Sequence, residues 1–479
     1  MLLATVALGI GAGRAHAQPT RLAGWPQELA AGVSGGYLLS PMEGVAFADL
    51  DGDGKKELIA SSGDRIWVYG PDGNAKAGWP QTVQGTAQAP PAVGDIDGDG
   101  KLEVVQIARG LRYSDPTFVH AFEADGTPVK GWPLRIPNLV FRTASLADLD
   151  GDGGLDVVLQ IGHWPPGGML EVYSGDGKPL SPWRFKLDAL PIAPAAIADI
   201  DGDGALELAH ATSATLTIRD QQGQPVLGTP LPAPDKQVFT GGLLLADISS
   251  SDAGLELIYL TKEDTQNPLG KAWLHVRTAA GAELSGFPVL LGADIADVGV
   301  PSAGDIAGDG VMVIAVPLRD KGVALIDATG KALAASPIGV SGEEVNASVA
   351  LADLDGDGDL ELVFDRNRWD PNNNNAGWLD AFHHDGTAVA NFPLIVAGST
   401  FFNGPTLADI DGDGTLEIGV LTSVNANPPR AFVELWTVAG SKASTPGFFA
   451  YGSGARRAGC LGCAAASTKT YAGDGPLPD

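Results

Sequence analysis

The sequence predicts an all-β fold, a β-propeller built from four-stranded antiparallel blades. Two observations carry this prediction: an acidic motif returns at intervals of 46 to 58 residues, and short strand patterns surround each copy. No helical periodicity of useful length occurs between the copies. A single small sheet cannot bury both of its faces, so such units stack, and closing them into a ring protects their edges.

The number of motifs sets the expected number of blades. Eight copies begin at an aspartate, and their mean spacing of about 51 residues lies in the range of propellers. The first aspartates are Asp49, Asp95, Asp148, Asp199, Asp247, Asp305, Asp353 and Asp409. Eight blades are therefore expected, with seven as the alternative if one degenerate unit is a decoration.

Within one unit the strands follow in a fixed order. In the first unit, residues 45–48 form a short apolar strand before the acidic turn, and residues 57–60 form the strand that leaves it. A third strand follows at residues 65–69, and Pro-Asp-Gly at 71–73 is a hairpin signal. Gly-Trp-Pro at 78–80 closes the unit. The acidic turn therefore lies between the first and second strands of its blade.

An additional Gly-Trp-Pro, at residues 24–26, precedes the first acidic turn. It predicts that the N-terminal segment donates a strand to the last blade and closes the circle. The chain then divides into a signal peptide (1–17), a single propeller (18–451) and a Gly/Ala-rich flexible tail (452–479).

The N-terminus has the pattern of an export signal. An apolar run is followed by Ala15-His16-Ala17, a small-x-small cleavage pattern that would leave Gln18 as the mature N-terminus. A buried N-terminal strand is the alternative interpretation. No other apolar run approaches the roughly 18 residues of a membrane span, so an extracellular, cell-surface or periplasmic protein is expected, without membrane insertion of the mature chain.

Charge and cysteine content limit the partners. The 479 residues carry a formal net charge of -28, which argues against nucleic acid or anionic membrane and favours bound cations. The two cysteines, Cys460 and Cys463, form a lone CxxC in the tail, without the second pair that a four-ligand zinc site requires. A local disulfide or an attachment point is expected there.

The acidic turn has the chemistry of a calcium site. In the nine residues from Asp49 to Glu57, carboxylates stand at positions 1, 3, 5 and 9, and position 7 offers a backbone carbonyl. Calcium takes six to eight oxygen ligands at about 2.3 to 2.6 Å, and glycine at position 6 permits the bend around the ion. An EF-hand is excluded, because position 12 carries no acid in the six intact copies and strand patterns follow each.

This DxDxDGxxD/E loop between two strands, repeated in blades over roughly residues 21–451, resembles the FG-GAP (VCBS-type) repeat of the integrin α-subunit propeller and of bacterial secreted proteins. The resemblance implies about six Ca²⁺ sites. The implied ligands are Asp49, Asp51, Asp53, Lys55 (carbonyl) and Glu57; Asp95, Asp97, Asp99, Lys101 (carbonyl) and Glu103; Asp148, Asp150, Asp152, Gly154 and Asp156; Asp199, Asp201, Asp203, Ala205 and Glu207; Asp353, Asp355, Asp357, Asp359 and Glu361; and Asp409, Asp411, Asp413, Thr415 and Glu417.

Two units depart from this pattern. The unit at Asp247 has an inserted residue and serines in place of carboxylates, and the unit at Asp305 lacks acids at positions 3 and 9. Weak or absent metal binding is expected in both. The six intact loops hold four carboxylates each at positions 1, 3, 5 and 9, 24 of the 58 acidic residues, so bound calcium would relieve repulsion within tight turns.

Differences in unit length fall between the second and third strands. Consecutive turns of an antiparallel blade point to opposite ends, so these longer loops are expected on the face opposite the calcium loops, where they mark a binding face. Their aromatic and polar residues suit stacking on sugar rings and hydrogen bonding to hydroxyls, and equally suit a protein ligand. The candidate ligand-binding residues are Arg112, Tyr113, His163, Trp164, Trp369, Asn373 and Arg430.

The leading hypothesis is an exported, calcium-stabilised propeller that binds a glycan or an extracellular protein without catalysis. The alternative is a polysaccharide lyase, since some secreted eight-bladed propellers with similar calcium loops have that activity, and a basic residue would abstract the proton. The candidates for that role are Arg109, Arg112, His163, Arg366 and Arg368. A third possibility is a structural cell-surface module attached through its tail. Neither HExxH nor a P-loop occurs, no catalytic residue is assigned, and the oligomeric state is left open.

Overall fold

The structure, a computed structural model, describes most of the 479-residue chain. The described residues are 17–29, 44–87, 89–110, 115–140, 142–163, 167–249, 254–264, 271–292, 295, 299–339, 342–368, 375–400, 403–424 and 430–448. They contain 34 strands and no helix. None of the described segments is therefore a helix long and apolar enough to cross a membrane.

The strands are short, and each blade begins with a strand of two or three residues or, in blade 5, a longer one. In the first half of the chain they are β1 (Gln18–Arg21), β2 (Gln27–Leu29), β3 (Ala46–Ala48), β4 (Glu57–Ser62), β5 (Arg65–Tyr69), β6 (Gln81–Thr82), β7 (Thr86–Ala87), β8 (Ala92–Gly94), β9 (Glu103–Arg109), β10 (Thr117–Phe122), β11 (Leu134–Ile136), β12 (Leu139–Val140), β13 (Ser145–Ala147), β14 (Asp156–His163), β15 (Gly167–Tyr173) and β16 (Pro179–Leu187).

The second half continues with the same alternation of short first strands and longer second and third strands. Its strands are β17 (Ala196–Ala198), β18 (Glu207–Ala211), β19 (Thr215–Arg219), β20 (Leu231–Pro232), β21 (Gln237–Ala246), β22 (Glu256–Glu263), β23 (Ala272–Arg277), β24 (Val289–Leu290), β25 (Ser302–Gly304), β26 (Val313–Leu318), β27 (Gly322–Asp327), β28 (Ala350–Ala352), β29 (Glu361–Arg368), β30 (Ala376–Phe382), β31 (Leu394–Ile395), β32 (Thr406–Ala408), β33 (Leu416–Val424) and β34 (Arg430–Ala439).

These strands form eight antiparallel sheets, one for each acidic motif, which confirms the all-β propeller with eight blades. In chain order the blades are β3–β6, β7–β11, β12–β16, β17–β20, β21–β24, β25–β27, β28–β31 and β32–β34, numbered here as blades 1 to 8. Within the described residues blade 6 has three strands rather than four. First strands of successive blades lie side by side, and β3 contacts β32, so blade 1 meets blade 8.

The N-terminal segment completes blade 8, as the additional Gly-Trp-Pro predicts. Strand β1 pairs with β34 from Gln18 opposite Ala439 to Arg21 opposite Trp436. Strand β2 pairs with the beginning of β34. The circle is therefore closed by hydrogen bonds between the first and last strands of the chain.

The core explains the composition of the strands. The first strands β3, β8 and β13 are buried along their whole length and consist mainly of small residues, because they crowd around the centre of the ring. Second strands such as β4 are also buried on both faces, since each blade packs between two others. Hydrophobic residues of neighbouring blades accordingly share core clusters.

The three Gly-Trp-Pro sequences each bind one blade to the next. The indole nitrogen of Trp79 donates to the Ala124 carbonyl of blade 2 at 2.9 Å. Trp132 makes the same contact with Gly175 of blade 3 at 2.7 Å, and Trp25 with Pro71 of blade 1 at 3.1 Å. The motif that closes a unit in the sequence therefore also holds three successive junctions of the ring.

Candidate metal centres

A buried acid at position 9, or Glu256 at the corresponding place in blade 5, organises seven of the eight acidic loops. One of its oxygens accepts a hydrogen bond from the backbone amide of position 2, so the carboxylate ties the start of the second strand to the start of the loop. The donors and distances are Leu50 to Glu57 2.9 Å, Ile96 to Glu103 2.7 Å, Leu149 to Asp156 2.9 Å, Ile200 to Glu207 2.8 Å, Ile248 to Glu256 2.7 Å, Leu354 to Glu361 2.7 Å and Ile410 to Glu417 3.0 Å.

The aspartate at position 1 folds the loop around itself. In blade 1, Asp49 accepts hydrogen bonds from the amides of Asp53 at 3.1 Å and Gly54 at 2.9 Å. The amide of position 6 bonds to the position-1 aspartate in the same way in blades 2, 3, 4 and 8. Gly54 has a φ of +87°, which explains why glycine stands at position 6.

This folding brings the predicted ligand carboxylates together. In each of five loops, ligand oxygens of three or four acids lie within 4.8 Å of one another. The groups are Asp49, Asp51 and Asp53; Asp95, Asp97 and Asp99; Asp148, Asp150 and Asp156; Asp199, Asp201 and Asp203; and Asp355, Asp357, Asp359 and Glu361. Such spacing suits one cation with several hard oxygen ligands.

Blade 2 provides the direct test of whether a cation fits. The Glu103 side chain is fully buried, and its Oε1 atom has no hydrogen-bond partner. The pKa of Glu103 is raised to about 8, chiefly by burial and also by the charges of Asp97, Glu123 and Asp95, while the hydrogen bond from the Ile96 amide opposes the shift. An unpartnered buried carboxylate oxygen beside three aspartates fits a hard divalent cation such as Ca²⁺.

Burial and neighbouring aspartates act in the same way on four other position-9 acids. Burial is the first cause that raises the pKa of Glu361, to about 9, and that of Asp156, Glu207 and Glu417, each to about 7. Aspartates of the same loop raise these pKa values further. Each loop thus concentrates negative charge that a bound cation would offset.

Blade 7 differs from the other loops in its surroundings. Asp353, expected as a ligand, accepts hydrogen bonds from the Gly356 amide and from Thr445 Oγ1 at 2.8 Å. His383 Nδ1 lies 3.0 Å from Glu361, and His384 Nδ1 lies 2.9 Å from Asp359. The sequence reasoning missed these two histidines, although their position directly after β30 places them in the hairpin that faces the loop.

The two degenerate loops retain part of this construction. In blade 6, Asp305 accepts from the amides of Asp309 at 3.0 Å and Gly310 at 2.8 Å, so the backbone folds without acids at positions 3 and 9. In blade 5, Glu256 still bonds to the Ile248 amide. The position-9 acid therefore has a structural role that does not depend on a complete ligand set. Weak or absent metal binding in blades 5 and 6 stays a prediction.

Backbone hydrogen bonds join the loops in pairs around the ring. At four alternate junctions, the amide of position 8 in one loop donates to a carbonyl at position 1 or 2 of the preceding loop. The contacts are Lys56 to Ile410 2.8 Å, Leu155 to Asp95 2.8 Å, Leu255 to Ile200 2.9 Å and Leu360 to Ile306 3.1 Å. Loops of blades 8 and 1, 2 and 3, 4 and 5, and 6 and 7 are thus directly connected.

The predicted ligand-binding residues lie mostly outside the described residues. Arg112, Tyr113, Trp164, Trp369 and Asn373 are all in such segments, and for His163 only the backbone at the end of β14 is described. Arg430 begins β34, where it donates two hydrogen bonds of 2.6 Å to Glu28 and lies over the Phe432 ring.

Two arginines considered for proton abstraction have carboxylate partners. Arg366 is bonded to Asp380 at 2.5 Å and to Glu343, and its side chain is 11% exposed. Arg368 also pairs with Glu343, and both guanidinium groups lie over the Trp378 ring. A charged arginine engaged in this way stays protonated and is a poor general base.

The fold and the loops define a class: an eight-bladed propeller whose repeats each carry an acidic loop between the first two strands. Residues 49–105 match the family model described as FG-GAP-like repeat. Together with the eight blades, this match confirms the resemblance to the FG-GAP repeat β-propeller family. No curated protein matches the sequence.

Solved structures share parts of the fold at low identity. The C-terminal domain of Pseudomonas aeruginosa PilY1 aligns with a TM-score of 0.42 and 12% identity, over 83% of this chain and 92% of that one. The V. cholerae biofilm matrix protein Bap1 aligns with a TM-score of 0.28 and 12% identity, over 82% of this chain and 76% of that one. Similarity at this level carries no information about function.

Proposed function

We propose that this chain is an exported recognition propeller, stabilised by calcium on one face of the ring and binding an extracellular glycan or protein on the other face without catalysis. The observation that carries this proposal is the separation of two kinds of connection. Acidic loops of similar length join first to second strands, whereas the connections between second and third strands vary in length, from two residues in blade 1 to nine in blade 5.

The strand register supports the statement about the connections between second and third strands. In seven blades the last pair of the second and third strands brackets a connection of three or more residues: Arg109 and Thr117, His163 and Gly167, Ala211 and Leu216, Lys262 and Ala272, Leu318 and Gly322, Arg368 and Ala376, and Val424 and Arg430. In blade 1 the corresponding pair, Ser62 and Arg65, brackets only two residues. We call the end of the ring that carries these connections the tip face.

Antiparallel order places the tip face opposite the acidic loops. Within a blade, the first and second connections leave the sheet at opposite ends. The connections that vary between repeats lie together at one end of the ring and form a continuous surface. The acidic loops, whose geometry repeats from blade to blade, lie at the other end and can hold metal. A propeller of this kind holds its binding loops on a rigid ring.

The calcium component has a direct test. The protein should lose thermal stability on treatment with EDTA and regain it with calcium in excess, because an ion that binds only the folded state stabilises it by mass action. Elemental analysis after dialysis should find several calcium ions per chain. Unchanged stability in EDTA together with absence of bound calcium would contradict the proposal.

The recognition component is tested by changing one connection at a time. Because Arg368 and Ala376 are paired, residues 369–375 can be replaced by Asn-Gly to make a two-residue hairpin. Binding to a panel of polysaccharides and extracellular proteins should weaken in this variant but not in Lys178→Ala, an exposed residue of the hairpin that follows β15 and faces the acidic loops.

Ultraviolet absorbance of unsaturated uronide products is recorded during the same incubations. Binding without growth of this absorbance supports a non-catalytic propeller. Absorbance that grows with time identifies a lyase and overturns the proposal. Binding that equals that of the wild type in the hairpin variants of all seven blades would show that the tip face is not the binding surface.

A further inference from the structure

The acidic loop of blade 1 already contains a positive charge from the chain itself. Lys76 Nζ lies 2.6 Å from Asp51 Oδ2 and 3.0 Å from Glu57 Oε1. The Glu57 side chain is fully buried, and its second oxygen accepts the Leu50 amide. The Glu57 and Glu103 Oε1 atoms both lack a hydrogen-bond partner, but the Glu57 atom lies at ion-pair distance from the Lys76 ammonium group.

Lys76 stands at a position that can be aligned between blades by backbone hydrogen bonds. Its amide donates to the Val68 carbonyl of the third strand, and its own carbonyl accepts from Trp79. The residues with the same pair of bonds in other blades are Val129, Val226, Leu284, Leu333 and Val389. All five are aliphatic, so blade 1 is the exception among these six aligned positions.

Blades 1 and 2 form a natural comparison. Their loops read DLDGDGKKE and DIDGDGKLE, with the same four carboxylates at the same spacing. In blade 2, Lys101 pairs only with Asp99 at the surface, at 3.0 Å, and does not reach the buried Glu103 oxygen. The charges around the two loops differ at position 8, which is Lys56 in blade 1 and Leu102 in blade 2, and in Glu123, which lies near the blade 2 loop. The difference that places a cation against the position-9 acid is Lys76 in blade 1 and Val129 in blade 2.

We propose that Lys76 is the resident cation of the blade 1 loop and takes the place of the calcium ion that the other intact loops bind. Entry of Ca²⁺ would place it beside the ammonium group or expel that group from two carboxylates, and like charges a few Å apart repel strongly in a half-buried site. The wild-type chain then binds one ion fewer than its intact loops would suggest. This inference rests on the proposed calcium binding of those other loops.

Because this loop lies at the closing junction of the ring, the replacement of calcium by Lys76 has a structural consequence. The Lys56 amide in the loop donates to Ile410 of the blade 8 loop, at the junction where the N-terminal segment closes the ring. A tethered ammonium group cannot be removed by dilution or by a chelator. Blade 1 therefore keeps a positive charge beside Asp51 and Glu57, on its side of the closing junction, at calcium concentrations that empty the other loops.

The test uses a reciprocal exchange in the full chain. Lys76→Leu introduces the side chain found at the aligned positions of blades 5 and 6, and Val129→Lys introduces an ammonium group into blade 2. Calcium per chain is measured by elemental analysis after equilibrium dialysis, and the melting temperature is measured in calcium and in EDTA. We expect one additional ion in Lys76→Leu and one ion fewer in Val129→Lys.

The outcomes separate this inference from the proposed function. Equal numbers of bound ions in the wild type and in Lys76→Leu overturn the inference while leaving calcium binding intact. If neither protein binds calcium, the proposed function fails. The melting temperatures of the two proteins in EDTA then test whether Lys76 acts as the cation of the loop. A lower melting temperature of Lys76→Leu in EDTA then supports its role as the cation of the loop, and an equal melting temperature overturns it.

Discussion

Arg21 donates a hydrogen bond from Nη2 to Oε2 of Glu434 at 2.7 Å, although the two residues are 413 positions apart in the sequence. The Glu434 side chain is fully buried, whereas that of Arg21 is 39% exposed and lies over the Trp436 ring. This contact joins β1 to β34 at the closing blade. The Arg21–Glu434 ion pair is therefore one of the contacts that close the ring.

Arg21→Ala should destabilise the folded protein by about 1 to 3 kcal/mol, because it leaves the buried Glu434 without its charged partner. The Ala397 amide and Thr422 hydroxyl remain as donors, which limits the loss. Urea unfolding in the presence of calcium measures the change. Arg430→Ala is the matched control, since Arg430 joins the same strand to Glu28 through an exposed ion pair and should matter less. Equal losses in both variants would show that burial of Glu434 is not the cause.

Glu103→Gln should reduce the gain in melting temperature that calcium produces. Glutamine keeps the size of the side chain and an acceptor for the Ile96 amide, but it removes the charge that faces the cation. In EDTA the variant should be as stable as the wild type or more stable, because the buried carboxyl has a pKa of about 8 and disfavours ionisation.

The control for this effect is Glu256→Gln in blade 5. Glu256 occupies the same buried position and accepts the Ile248 amide at 2.7 Å, but its loop has serines where blade 2 has carboxylates. The gain in melting temperature that calcium produces should therefore be the same in Glu256→Gln as in the wild type. A similar reduction in both variants would attribute the effect to the fold of the loops and not to metal.

Gly78→Ala should destabilise the ring by more than about 3 kcal/mol. Gly78 has a φ of +87°, and a methyl group there would overlap the Asp125 carbonyl oxygen of the next blade. Gly292→Ala separates the cost of the positive φ from the cost of the overlap. Gly292 also has a positive φ, +64°, but open space around it. We expect only about 1 kcal/mol for Gly292→Ala. Thermal unfolding compares the two, and equal effects would remove the interblade contact as the explanation.

His120 should make the folded state sensitive to acid. Burial lowers the pKa of His120 to about 4, below the value of about 6.5 in an unfolded chain. The unfolded state therefore binds the proton first as the pH falls, so this contribution to stability is complete above about pH 6.5 and is lost as the pH falls toward about 4. At about 1.36 kcal/mol per pKa unit, the loss amounts to roughly 3 kcal/mol.

His120→Gln tests this pH dependence. Glutamine can still accept the Gln84 amide, which His120 Nε2 accepts at 3.1 Å, but it does not titrate. The free energy of unfolding of the wild type should fall more steeply between pH 7 and pH 4.5 than that of the variant. A difference between the two proteins that is constant over this range would contradict the assignment to His120.

The number of blades and the place of the acidic loop could be predicted because both are local signals. Eight motifs, turn residues at fixed offsets and apolar runs of strand length lie close together in the sequence. The closing strand could also be predicted, because Gly-Trp-Pro at 24–26 repeats a sequence whose place in a unit is visible elsewhere.

The surroundings of the loops could not be predicted in this way. Lys76 reaches Asp51 from 25 residues away, and the paired loops are joined by backbone amides that carry no sequence signal. Aligning Lys76 with Val129 and Leu284 would have required the hydrogen-bond register of the third strand, which the sequence pattern leaves uncertain by a residue or two.

Closure by β1 and β2 also has a consequence for biosynthesis. These two strands leave the ribosome before the strands of blades 1 to 7, and β34, their only strand partner in the described residues, is made after them. During translation the β34 position is vacant, so β1 and β2 must wait while seven blades form. At high concentration of nascent chains, the segment can instead complete blade 8 of another copy, and exchange of this N-terminal segment is the expected route to misassembled dimers.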